Sequence, residues 1–186
     1  MRRMIFLAGL MLVSLAAPAT EYRQLQASSL SFAYKQMGVP MEGRFGRYTA
    51  HIVFDPARPD AAQARFELEL ASIDTGVAEA DEEVLGKLWF NVKVYPVARF
   101  VSSGVKALGG NRYTLFGKLT IKGKTLNVAT PFTFKTAGAN GIFDGAFTLK
   151  RLDYAIGEGE WADVSAVANE VQIKFHFVAA SAAVKP

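Results

Sequence analysis

The sequence contains no cysteine, which excludes disulfides, thiol catalysis, thiolate zinc sites and iron–sulfur ligation together. Histidine is nearly as scarce, with two in 186 residues. Both fall on the polar phase of alternating segments, His51 between Ala50 and Ile52 and His176 between Phe175 and Phe177, so a surface position is expected for each. No G-x-S-x-G elbow, phosphate-cradling loop or zinc-ligand spacing occurs, and Gly157-Glu158-Gly159-Glu160 lacks the strand–turn–helix setting of a nucleotide site. The acids have structural explanations. Glu67 and Glu69 lie on the outward phase of a strand, and Glu79, Asp81, Glu82 and Glu83 fill the first half of a helix, whereas paired-carboxylate hydrolysis needs two inward acids. Basic residues are scattered instead of gathered in a run, so the electrostatic footprint of a nucleic-acid binder is missing. These absences argue against an enzyme, and no catalytic, metal or cofactor site is expected.

The chain opens with Arg2 and Arg3, an apolar run from Met4 to Leu15 and small residues at Ala17-Pro18-Ala19. That order predicts a secretory signal peptide cleaved after Ala19; about a dozen apolar residues are too few for a spanning anchor. Residues 20–186 then suit one domain with one core. Cleavage removes two arginines and no acid from a formal charge of +4, leaving a nearly balanced protein.

The most ordered pattern runs from Asn111 to Lys135, where two alternating stretches meet at Lys122-Gly123. A β-hairpin with a two-residue loop places Ile121 opposite Lys124, Leu119 opposite Leu126, Gly117 opposite Val128, Leu115 opposite Thr130 and Tyr113 opposite Phe132. One face is dry. The other carries Thr114, Lys118, Thr120, Lys122, Asn127 and Thr133, with Phe116 as the exception.

The same alternation recurs along the chain. Ser29 to Lys35 places Leu30, Phe32 and Tyr34 on one face; Gly38-Val39-Pro40 breaks it. Gly43-Arg44-Phe45 leads into a strand with Tyr48, Ala50, Ile52 and Phe54 on the dry side, and a turn spans Asp55 to Asp60. Ala64 to Ser72 buries Phe66, Leu68 and Leu70. Ala78 to Phe90 reads as the one helix, with Val84, Leu85, Leu88 and Trp89 on one side and its acids early, as the dipole favours. An extended stretch follows through Phe100 and Val105 to Gly109-Gly110. After the hairpin, Ala139-Asn140-Gly141 turns into Ile142 to Arg151, with Phe147, Leu149 and Arg151 on the dry phase. A long connection spans Asp153 to Asp163, and Asn169 to Val178 closes the chain with Val171, Ile173, Phe175 and Phe177 inward. The tail Ser181 to Pro186 is expected to fray.

About eight antiparallel strands and one short helix imply a closed barrel or a sandwich. Fourteen Phe, six Tyr and two Trp, mostly on the dry phase, fit either a solid core or the wall of a ligand cavity, since an eight-stranded barrel can be filled or hollow.

Several segments in order resemble the YceI-like polyisoprenoid-binding family over nearly all of residues 20–186. They are Phe32 with Gly43-Arg44-Phe45, Phe54-Asp55-Pro56, Ser72-Ile73-Asp74-Thr75-Gly76, Asp81 followed by Leu85, and Trp89-Phe90-Asn91-Val92 with Tyr95-Pro96. Phe100 with Ser102-Ser103, the stretch Gly117 to Gly123, and Arg151-Leu152-Asp153-Tyr154 with Ile156-Gly157 complete the set. Gln36, Asn91 and Ala155 depart from the usual residues of the family.

The resemblance implies an all-β, eight-stranded lipocalin-like barrel with the helix beside it and an apolar interior holding a quinone tail or polyprenyl chain, in the periplasm. The residues expected to line that interior are Phe32, Tyr34, Ile52, Phe54, Phe66, Leu68, Leu70, Leu85, Trp89, Phe100, Leu115, Leu119, Leu126, Phe132, Phe147, Leu149, Arg151, Ile173 and Phe175. The implied role is that of a non-enzymatic binding or carrier protein, with transient contact with the inner membrane among the expected partners and the oligomeric state, a dimer included, left open. The rival readings are an enzyme acting on such a lipid inside the barrel, which needs an inward acid–base group, and an interaction module with a filled core.

Overall fold

The computed structural model describes residues 20–182; the expected signal peptide, residues 1–19, and residues 183–186 lie outside the described residues. Eleven strand segments form one antiparallel sheet. They are β1 (Thr20–Gln24), β2 (Ser29–Gln36), β3 (Val39–Phe45), β4 (Tyr48–Phe54), β5 (Gln63–Glu69), β6 (Ile73–Asp74), β7 (Val97–Gly109), β8 (Arg112–Ile121), β9 (Lys124–Ala137), β10 (Asn140–Lys150) and β11 (Glu170–Ala182).

The sheet closes because β1 pairs with both β4 and β11. β1 and β2 lie in succession along β11, and β4 and β3 pair with them in turn, so each couple behaves as one long strand with a break. β5 and β6 form a third couple along β4 and β3. Eleven segments therefore make eight staves, each beside its neighbours in chain order, in a closed up-and-down barrel. At the first break Ser28 stands in for missing backbone: its hydroxyl donates to the Val178 carbonyl and accepts the Val178 N–H, both at 3.0 Å.

The β8–β9 hairpin has the register expected from its alternation, from Ile121↔Lys124 to Tyr113↔Phe132. Lys122 and Gly123 both take positive φ, 49° and 75°, the type I′ geometry that matches strand twist. Other boundaries differ from expectation. Gly38-Val39-Pro40 is not a break, because Met37-Gly38 makes a second tight hairpin and Val39 and Pro40 begin β3, opposite Gln36 and Lys35. Pro40 is tolerated since the far side of β3 pairs only at Arg44 and Phe45, leaving the missing donor on an edge. β1 was not recognisable in five residues, and Ser181 and Ala182, expected to fray, pair with it.

The strand expected through Ser72 ends at Glu69 in a 3-10 turn. The turn after β9 falls one residue earlier than expected, on Gly138-Ala139, and Arg151 lies just beyond β10 in a second 3-10 turn. The helix α1 covers Ala78–Leu85 and stops at Gly86, whose ψ of 172° is extended, so Trp89 and Phe90 sit on the following turns.

The interior is packed in two layers. One end is plugged by Tyr22, Phe54, Tyr113, Phe132, Phe134, Phe143 and Phe177 with smaller neighbours; edge-to-face contacts place the Phe54 ring 4.9 to 5.9 Å from four of these rings. The other end gathers Leu70, Trp89, Phe90, Ile121, Leu149, Tyr154, Ile156 and Val167.

Candidate functional site

Between the two layers lies a cavity of about 540 Å³, within the range of small-molecule sites. Its wall comes from the inward phase of every stave: Phe32 and Tyr34 of β2, Ile52 and Phe54 of β4, Phe66 and Leu68 of β5, Phe100 of β7, Leu115 and Leu119 of β8, Phe132 of β9, Phe147 and Leu149 of β10, Ile173 and Phe175 of β11. Leu70, Trp89 and Arg151 close the same surface from the connections. Many of these apolar side chains are only half-buried although they point inward, because the space they face is open.

Two residues expected on this wall are elsewhere. Leu85 points away, since α1 turns Glu79, Ala80, Glu83 and Val84 to the cavity and the next residue is rotated by about 100° at 3.6 residues per turn. Leu126 is 37% exposed. β9 pairs with β10 only along Phe132–Ala137, so at Leu126 the outer edge of β9 has no neighbouring strand and the side chain faces solvent. The wall also includes residues not among the expected set, notably Phe45, Ile121, Thr130, Phe143, Ile156, Trp161, Val167 and Val171. Phe45, Ile121 and Val171 have a signal in the alternation; Trp161 and Val167 come from an irregular connection and have none.

Arg151 is the most buried charged residue, at 1% exposure. Nε donates to the Ala168 carbonyl at 3.1 Å, Nη1 to Ile156 and Gly157 at 2.9 and 3.0 Å, and Nη2 to Trp161 and Val167 at 2.6 and 2.7 Å. All five donors of the guanidinium are used, and none is left for a ligand oxygen. No acid pairs with it: Glu158 instead binds Lys122, whose ammonium also reaches the Ala155 carbonyl. Burial without a counter-charge pushes the Arg151 pKa down, and its guanidinium lies 5.5 Å from the Trp89 ring centre, a cation–π contact. The fit around it explains Gly157, which takes φ +79° and where a Cβ would clash with Nη1 of Arg151. Trp89 in turn packs on Trp161 with ring centres 5.4 Å apart. Arg151 thus holds the loops that cap one end of the cavity.

Elsewhere on the wall the inward polar groups are Tyr34, Tyr48, Thr75 and Thr130, while Gln36, Gln63, Glu67, Glu79, Glu83 and Arg99 are exposed to solvent. Burial, with Asp81 as a second cause, raises the Tyr34 pKa, and burial raises that of Tyr48, keeping both phenols neutral. His51 and His176 lie on the outside, beside Glu21 and Asp144. Among the described residues no cluster of three or more potential metal ligands occurs.

An eight-stranded antiparallel barrel enclosing an apolar cavity is a lipocalin-like binding protein. The YceI-like domain family matches residues 23–179, and the chain belongs to that family. A relative from Pseudomonas savastanoi pv. phaseolicola, a UPF0312 protein, is 31% identical over 150 residues, covering 75% of this chain and 78% of the relative. Among solved structures, Burkholderia cenocepacia BcnA is 46% identical with a TM-score of 0.82, covering 84% of this chain and 98% of BcnA. A polyisoprenoid binding domain from Saccharophagus degradans shares the fold at 14% identity and a TM-score of 0.67, covering 88% of this chain and 99% of that domain.

Proposed function

We propose that this protein is a non-enzymatic carrier of an isoprenoid lipid, a quinone tail or a polyprenyl chain, held in the barrel and moved or stored in the periplasm. The observation that carries this reading is the continuous apolar wall around about 540 Å³ of open space. A ten-residue strand spans roughly 33 Å, and although the aromatic layer fills one end, the open remainder accepts several isoprene units in line. Each buried five-carbon unit contributes roughly 3–4 kcal/mol before entropy is subtracted, so affinity grows with chain length and needs no polar anchor.

A polyisoprenoid ligand also fits the description of the Saccharophagus degradans domain. The open interior disfavours a filled-core interaction module. A lipid-modifying enzyme needs an inward acid–base pair, whereas the inward cation Arg151 is sealed by carbonyls and the lining carboxylates Glu67, Glu79 and Glu83 are all solvent-exposed, Glu67 being paired with Arg99. The signal-peptide pattern supports export.

The test is organic extraction of the protein purified from its native host, with mass spectrometry of the extract and native mass spectrometry of the protein before and after. The expected result is an isoprenoid lipid at up to one per chain, lost on extraction and regained on incubation with a long-chain quinone or polyprenol. Apo mass alone, persisting after that incubation, overturns the reading.

A further inference from the structure

The charge of the cavity's rim carries information about the head group. We infer that the barrel admits an isoprenoid with an uncharged head group and discriminates against its phosphorylated equivalent, with Glu79 and Glu83 of α1 as the selecting residues; this rests on the isoprenoid reading above.

Residues four apart on a helix share a face, and Glu79 and Glu83 both line the cavity while remaining exposed to solvent. That combination places them at its rim. Neither carboxylate has a hydrogen bond or ion pair with a described residue. Of the other exposed lining groups, Val77, Gln36 and Gln63 are uncharged, and Arg99 and Glu67 neutralise each other across β5 and β7 at 2.9 Å. The rim therefore carries two unopposed negative charges.

Among the described residues no free cation inside offsets them. Arg151 lines the cavity with every donor engaged by a carbonyl, and Lys122, just behind the wall, is held by Ala155 and Glu158. The amino end of α1, which would otherwise draw an anion, already has Glu79 and Asp81 in its first turn, with Asp81 taking the Thr75 N–H and hydroxyl at 2.7 Å. A phosphate pushed deeper meets mainly aromatic and aliphatic side chains, with the unpaired indole N–H groups of Trp89 and Trp161 as neutral donors and no free cation, and a charge without a counter-charge is expelled from such surroundings. Left at the rim, it faces the two carboxylates within the roughly 8 Å over which charges act at physiological salt. An uncharged quinone ring or alcohol meets neither obstacle.

The chain's two tryptophans, Trp89 and Trp161, both line the cavity, so their fluorescence reports occupancy. The experiment compares three probes of equal prenyl length, a polyprenol, its monophosphate and a quinone, on the wild type and on Glu79→Gln/Glu83→Gln, at low and high salt. Wild-type protein should bind the monophosphate at least about tenfold more weakly than the polyprenol at low salt, a difference of about 1.4 kcal/mol. The ratio of the two dissociation constants should fall to within about threefold in the double variant, and it should fall in high salt for the wild type. Circular dichroism confirms the fold of the variant, whose substitutions keep shape and are solvent-exposed. Equal binding of polyprenol and monophosphate by the wild type overturns the inference alone, as does a ratio unchanged by the double substitution. Failure of polyprenol and quinone to bind at all overturns the carrier reading, and the selectivity with it.

Discussion

Arg151 shows how much one side chain can organise through backbone carbonyls. Five N–H donors meet five backbone carbonyls drawn from Ile156, Gly157, Trp161, Val167 and Ala168, so the guanidinium substitutes for secondary structure in a loop that has little of its own. Alternation along β10 places the residue on the dry phase, and a buried guanidinium must find partners; which partners could not be told, because they come from a connection without periodicity. Arg151→Met removes the charge and orphans several buried carbonyls. It should destabilise the fold by at least about 3 kcal/mol, lowering Tm by about 6–12 °C for a chain of this size, while the folded fraction binds lipid as before. Thermal unfolding and fluorescence titration of the same sample check this; a weakened affinity at unchanged Tm would make Arg151 a ligand contact instead.

At the scale of the element, the β8–β9 hairpin was legible in full because a two-residue loop leaves only one register and a one-residue slip would turn every apolar side chain outward. Leu119 lines the cavity, whereas Thr120 faces out and its hydroxyl meets Thr125 at 2.7 Å. Leu119→Glu should therefore abolish lipid uptake and destabilise the protein by several kcal/mol, and Thr120→Glu should do neither. Urea midpoints and lipid binding of the two variants decide it, and equal effects would contradict the register. β3 and β1 were not legible for opposite reasons. Pro40 signals a break unless it is known to lie on an edge, and five residues are too short for alternation to stand out. The helix was expected too long because its apolar spacing continues through Trp89, although Gly86 ends the backbone pattern.

The whole molecule responds to pH through groups on both sides of neutrality. The Tyr154 pKa is pushed from 10.0 to about 12, first by burial and then by the charge of Asp153, and burial also raises Tyr22, Tyr34 and Tyr48. Groups whose folded pKa lies above the unfolded value stabilise fully below the latter, so stability should be lost as pH climbs from 10 through about 12. Asp55, Asp74 and Asp163 are held low, chiefly by the backbone N–H groups of Ala57, Gly76 and Ser165. Their contribution is present above the ordinary carboxylate value and vanishes as pH falls below it. Urea midpoints should therefore form a plateau across neutral pH with a steep alkaline limb, along which phenolate absorbance rises; a midpoint that stays flat to pH 12 would contradict the burial of Tyr154.

What the sequence determined by itself is which side of most strands is dry, how the central hairpin pairs, and that about eight antiparallel strands share an apolar core, as a barrel or a sandwich. These follow from a period of two and from turn chemistry, both local properties of the chain. Closure was decided by β1, which bridges β4 and β11, and no local pattern records a pairing between segments so far apart in the sequence. Tertiary structure also decided that the interior is open: the same inward phenylalanines form a solid plug at one end and a cavity wall beyond it. Whether aromatic side chains meet or stand apart depends on the tilt and spacing of eight staves taken together, and that geometry exists only once the barrel has closed.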